Sequence, residues 1–222
     1  MNLGKGMRIL RHFIADEVVT YLRHNLGIYM FIILLLVVGV AIGAFAIRFM
    51  DKAQIMELDQ FFSHFLYSLR ESPLDQGAIF RQSLQNTLRY GGFVCILGIL
   101  PIGFPLIAAV VFLKGFTLGF TVGFFLERFA LRGLLFCLGA IFPHNIFILP
   151  AFLVVATAGF SFSFIRLQGY IKKRPQPLKE NLGGYLLLSA AMAVVFIGGA
   201  IVESWITPVF MRLMLPLFLK HH

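Results

Sequence analysis

Hydrophobic positions along the chain gather into long runs, and the polar positions between them fall in short clusters with helical spacing. Residues 29–47 form the first run, close to the roughly 20 residues that a ~30 Å hydrocarbon core requires. Ala44-Phe45-Ala46 at its end looks like a peptidase site, but the polar stretch before it is long and the run exceeds a signal-peptide core, so an uncleaved span is expected. Ahead of it, Leu3, Met7, Leu10, Ile14, Val18 and Leu22 recur at three- and four-residue spacing. This predicts an amphipathic helix over residues 1–28 on the cytoplasmic surface. Runs at 90–113, 146–165 and 182–202 predict further spans. Pro101 and Pro105 should kink or break the first of these, because proline removes a backbone donor and clashes with the preceding turn.

The middle of the chain needs more argument. Residues 115–126 rise only about 18 Å as a helix, so the span is extended to 132 with Glu127, Arg128 and Arg132 snorkelling to the interface. Gly115, Gly119 and Gly123 lie four apart on one face, and small residues in lipid let two helix backbones approach, which predicts a helix-helix seam. Residues 133–165 would be about 50 Å long as one helix. Pro143 is expected to divide them into a partly inserted arm over 133–142 and a span from 146. Between the first two spans, residues 48–89 carry apolar positions at helical spacing on both sides of Ser72-Pro73, which predicts a small helical hairpin.

Charge orients these elements. Residues 166–181 hold Arg166, Lys172, Lys173, Arg174 and Lys179 against Glu180, so the positive-inside rule makes this loop cytoplasmic. With the N-terminus on the same side, an even number of crossings must separate them. The spans 29–47, 90–113, 115–132 and 146–165 supply four, and 182–202 is the fifth. Lys114 then marks a cytoplasmic turn, and the hairpin and the tail 203–222 lie outside. A re-entrant pairing of 115–126 with 133–142 would put the basic loop outside and is rejected on charge.

Composition agrees with the pattern: 59% of residues are hydrophobic and 13% charged, against roughly 25% charged in a soluble domain, and mean hydropathy is +0.88. The expected fold is therefore an all-α, polytopic membrane bundle of five spans in a single membrane domain, 29–222. The net charge of +9 reads as topology and attraction to anionic headgroups of the lipid bilayer, with no nucleic acid implied. Cys95 and Cys137 sit in apolar runs without metal-ligand spacing, so they read as free thiols.

Candidate chemistry narrows to Lys114, Glu127, His144 and Glu203, the ionisable residues in or near the membrane. His144 beside Asn145 at a proline-broken helix could serve an ion or solute transporter, but no second buried carboxylate is seen to accompany it. Capping is the stronger reading, with Asn145 accepting from the free amides that begin the 146–165 helix. No H-E-x-x-H, G-x-S-x-G or P-loop occurs, so no enzyme, cofactor or metal is expected.

One resemblance covers nearly the whole chain. Phe112-Leu113-Lys114-Gly115, then Gly119-Phe120-Thr121-Val122-Gly123-Phe124, then Pro143-His144-Asn145 with Pro150, and finally the stretch from Glu203 to Pro208 together resemble the stage II sporulation protein M family. The wider family tends to show P-H-G followed by a glutamate; here Asn145 replaces that glycine and Ile148 the glutamate, as in the sporulation branch. The resemblance implies a five-span, non-enzymatic scaffold in the septal membrane during forespore engulfment. Its implied partners are two peptidoglycan hydrolases, the stage II sporulation proteins D and P. The glycine face and the 48–89 hairpin are the surfaces expected to meet a partner, and self-association stays open.

Overall fold

A computed structural model describes residues 26–71, 76–172 and 178–219. They form seven α-helices with no strand among them: α1 (Leu26–Ala46), α2 (Lys52–Glu71), α3 (Gln76–Ile99), α4 (Gly103–Ala140), α5 (Phe142–Ile171), α6 (Leu178–Trp205) and α7 (Thr207–Leu219). The amphipathic helix expected over 1–28 lies almost wholly outside the described residues, as does the centre of the basic loop. Four segments are long and apolar enough to cross a membrane: Leu26–Phe49, Gly103–Ala140, Phe142–Ile171 and Leu182–Leu213. The second half of α3 joins them in the bundle, packing on α5 and α6.

Helix α5 is the centre. Every residue from Ala151 to Gly159 is buried, and α1, α3, α4 and α6 all pack on it. A helix that is apolar all round belongs in an interior, and α5 takes that place while its neighbours face lipid. Tyr185 of α6 stacks on Phe162 at 5.1 Å and donates its hydroxyl to the Cys95 carbonyl at 2.9 Å. A side-chain donor thus ties α6 to α3 where water is absent.

The glycine seam forms between α1 and α4. A Cβ at Gly115, Gly119 or Gly123 would meet the backbone of Leu36, Val40 or Ala44, and one at Gly39 or Gly43 would meet Phe112 or Phe116. The pairs advance together, so α1 and α4 run parallel in van der Waals contact of backbone with backbone. This face is filled by the chain's own first helix.

The chain reverses at residues 100–102, twelve residues before the turn expected at Lys114. Pro101 interrupts the ladder, and Gly103 donates to the Leu100 carbonyl at 3.0 Å to close a tight turn. The broken ladder frees polar groups that a lipid-exposed chain could not leave unpaired. Ser163 of α5 donates to the Leu100 carbonyl at 2.6 Å and accepts from the Phe104 amide at 2.9 Å, while Arg166 donates to the Ile99 carbonyl. The expected spans 90–113 and 115–132 are therefore not the observed units. The sequence from Gly103 onward forms one continuous helix through the glycine seam, and Lys114 stands inside it.

Ala130 ends that helix with φ 49° and ψ −127°, and it is the one non-glycine residue with positive φ among those described. Residues 131–140 then fold back as a short arm, with Gly133 against the Phe125 carbonyl and Phe136 on Phe125 at 4.9 Å. The division expected at Pro143 falls at Ile141, and the arm and α5 form a helix interrupted at that point. Positive φ strains a residue with a Cβ by about 1–3 kcal/mol. Ala130→Gly is therefore expected to raise the melting temperature by a few degrees, as read by scanning calorimetry in detergent; an unchanged or lower value would contradict the strain.

Beyond the kink lies a second, aromatic layer. Phe62 of α2 packs edge-on against Phe125 at 4.9 Å and Phe136 at 5.6 Å. Phe210 of α7 lies beside Gly139 of the arm. The two helices expected over 48–89 are present as α2 and α3, but α3 runs on from that level into the bundle as one helix.

Candidate functional site

A cavity of about 180 Å³ opens where the arm meets α5. Helix α3 supplies Ser83, Asn86, Thr87 and Tyr90 to its wall, and α4 supplies Lys114. His144 and Asn145 come from the first turn of α5, Glu203 comes from α6, and Ile148, Phe152 and Phe196 form an apolar floor. Four helices thus line one cavity, and three of them bring Lys114, His144 and Glu203 to it.

Each element positions its side chain for a local reason. Lys114 is eleven residues past Gly103, which places its Cα about 16 Å along α4. The glycine face turns toward α1, and the lysine leaves that face to cross above the Tyr90 ring, its Nζ 5.3 Å from the ring centroid. Such a cation-π contact contributes about 0.5–2 kcal/mol. Glu203 falls in the last turn of α6 and accepts from Ser83 Oγ at 2.5 Å, a charge-assisted bond. Neither charge is in an ion pair; among the described residues the pair found is Arg128 with Asp59.

The first turn of α5 differs from expectation. The helix starts at Phe142 with Pro143 in its first turn and no side-chain cap. Proline suits this place because the amide it lacks would have had no partner within the helix. Asn145 does not accept from the helix amides. Its Nδ2 donates to the Ile141 carbonyl at 2.8 Å and lies 3.1 Å from His144 Nε2. With the amide nitrogen fixed as donor, Nε2 is the acceptor, and in the neutral imidazole the proton sits on Nδ1. Asn145 thus binds the junction between arm and helix and sets the tautomer of His144.

The expectation that no buried carboxylate accompanies His144 is also corrected, since Glu203 lines the same cavity. The two are far apart in sequence and meet because α5 and α6 run antiparallel, with Ile148 against Gly199 and Phe162 against Tyr185. The other singled-out residues lie elsewhere. Gly115, Gly119 and Gly123 face α1, Pro150 is exposed within α5, Pro208 is buried at the start of α7, and Glu127 is exposed near the kink. Ser83, Asn86, Thr87 and Tyr90 went unnoticed in the sequence. Their signal was present, because Ser83, Thr87 and Gly91 recur every four residues and all are buried. Among the described residues no group of three or more His, Cys, Asp or Glu side chains could hold a metal ion.

Fold and site together define a polytopic helical membrane protein built round a buried central helix, with a polar cavity at a helix break. The profile of the stage II sporulation protein M family matches residues 32–208, from the middle of α1 to the start of α7, and the chain belongs to that family. No curated protein gives a significant match, and no solved structure does.

Proposed function

We propose that this protein is a non-enzymatic scaffold that holds peptidoglycan-degrading partners, the stage II sporulation proteins D and P, at the septal membrane during forespore engulfment. The observation that carries the reading is the family match over the entire bundle. In this reading α3 is a second crossing, which makes five in all. The basic loop and the N-terminus are cytoplasmic by the positive-inside rule, and alternation then puts α2, the Ala130 kink and α7 outside, where the cell wall is. Helix α2 and the turn before it offer a partner apolar side chains: Phe49 is 88% exposed, Met56 60% and Phe61 75%. With the glycine face occupied by α1, this outer layer is the surface assigned to recruitment.

Co-expression with both hydrolases and affinity purification from solubilised membranes tests the scaffold. Both partners should be retained by the wild type, and a Phe61→Glu variant should retain several-fold less. Retention of neither partner by the wild type would sink the reading.

A second reading, passage of an ion or small solute, is favoured by the three ionisable groups gathered at a broken helix, an arrangement transporters use. Liposomes holding the protein alone would show flux that His144→Ala abolishes; flux no greater than in empty liposomes would remove this reading.

A further inference from the structure

We propose that the cavity between α3, α4, α5 and α6 binds a small zwitterion bearing one carboxylate and one ammonium group, of the size of a free α-amino acid. This depends on neither reading above, because it concerns equilibrium occupancy and not recruitment or flux.

The inference starts from two opposite charges that share a cavity with no direct ion-pair contact between them. Lys114 rests over the Tyr90 ring and Glu203 takes the Ser83 hydroxyl. Helices α3 and α5 each pack on both α4 and α6 and so hold the two charges on separate walls. Withdrawing two ions from water costs several kcal/mol each, and apolar side chains of like volume would serve a purely structural bundle as well or better. A half-buried charge with no counter-ion in direct contact is open to the opposite charge of a ligand.

The sign of both walls selects the ligand class. A simple anion would pair with Lys114 and face Glu203; a simple cation would do the reverse. A molecule with a carboxylate at one end and an ammonium at the other satisfies both walls at once. The carboxylate end has a second attraction: α5 begins at the cavity, so the positive end of its dipole lies near. Asn86 and Thr87 add neutral hydrogen-bonding groups, and the floor of Ile148, Phe152 and Phe196 accepts a short apolar side chain. The volume, about 180 Å³, is well above the ~10–15 Å³ that a single water needs on the same measure. That leaves room for a small amino acid.

The experiment uses the full chain in nanodiscs. Radiolabelled glycine, L-alanine and D-alanine are the probes, with propionate and ethylamine as carriers of one charge alone. At least one amino acid should bind saturably, with the two single-charge compounds at least tenfold weaker. Lys114→Met and Glu203→Gln should each weaken binding tenfold or more. Because either variant could misfold, the wild type is also melted with increasing amounts of each probe. The melting temperature should rise with the amino acid that binds, as mass action requires, and stay flat with ethylamine. Absence of saturable binding by all three amino acids, propionate binding as tightly as they do, or full binding retained in both variants would each overturn the proposal.

Discussion

Gly119→Leu is expected to destabilise the protein strongly, because it wedges apart the seam between α1 and α4. The new side chain would drive into the Val40 carbonyl and its neighbouring backbone atoms, and backbone cannot swing aside as a flexible side chain does. Overpacking costs about 1–3 kcal/mol when rotamers can adjust, and the upper end applies here. For a chain of this length that is a drop of roughly 6–12 °C in melting temperature. Gly92→Leu is the matched control on α3, since nothing lies within 4 Å of the added Cβ. There the better helix propensity of leucine should leave stability unchanged or slightly raised. Thermal melts of both variants in the same detergent decide the matter: equal melting temperatures would show that α1 and α4 are not in contact there.

Phe62→Ala is the second large effect. Phe62 is 7% exposed and touches Phe125, Phe129 and Phe136, with ring centroids at 4.9, 5.4 and 5.6 Å. Removing such a ring costs about 3–5 kcal/mol. Leu58 packs on the same cluster, and the Arg128–Asp59 pair, whose arginine is 53% exposed, contributes about 0–1 kcal/mol as an exposed pair. The ring is therefore a main anchor of α2. Amide exchange over residues 52–71 should accelerate at least tenfold in the variant while α5 stays protected. Wild-type exchange across α2 would refute this anchoring.

Much of the fold was legible in the pattern of the chain. The four-residue spacing of Gly115, Gly119 and Gly123 pointed to a close seam, Ser72-Pro73 to a break between two helices, and Pro143 to an interrupted segment. The turn at Pro101 was visible as a break, but the reversal was assigned to Lys114, because a lone charge in an apolar run reads as an interface marker. What rescues that charge at mid-helix is Tyr90 beside it and the polar wall beyond, and neither is adjacent in sequence. Likewise Ser163 reads as an ordinary small residue in a span, yet it satisfies two of the groups freed at the turn. The cavity was half legible: His144, Asn145 and Glu203 were singled out, while the stripe on α3 was hidden inside a segment too polar to stand out as a span. Asn145 was assigned the wrong sense of hydrogen bond, because only the position of the Ile141 carbonyl reveals that it donates.

The parallel pairing of α1 with α4 bears on how the protein is made. Val40 is synthesised well before Gly119, and at ribosomal rates of about 5–20 residues per second the interval is roughly 4–16 s. During that time α1 must reside in lipid with Gly39 and Gly43 exposed and no partner to fill the groove. Its uninterrupted hydrophobic length keeps it inserted alone, whereas α3 enters with a polar face that α4, α5 and α6 later shelter. Insertion is thus ordered by which helices tolerate solitude, and the central helix, needing the most neighbours, completes the bundle only when α6 has left the ribosome.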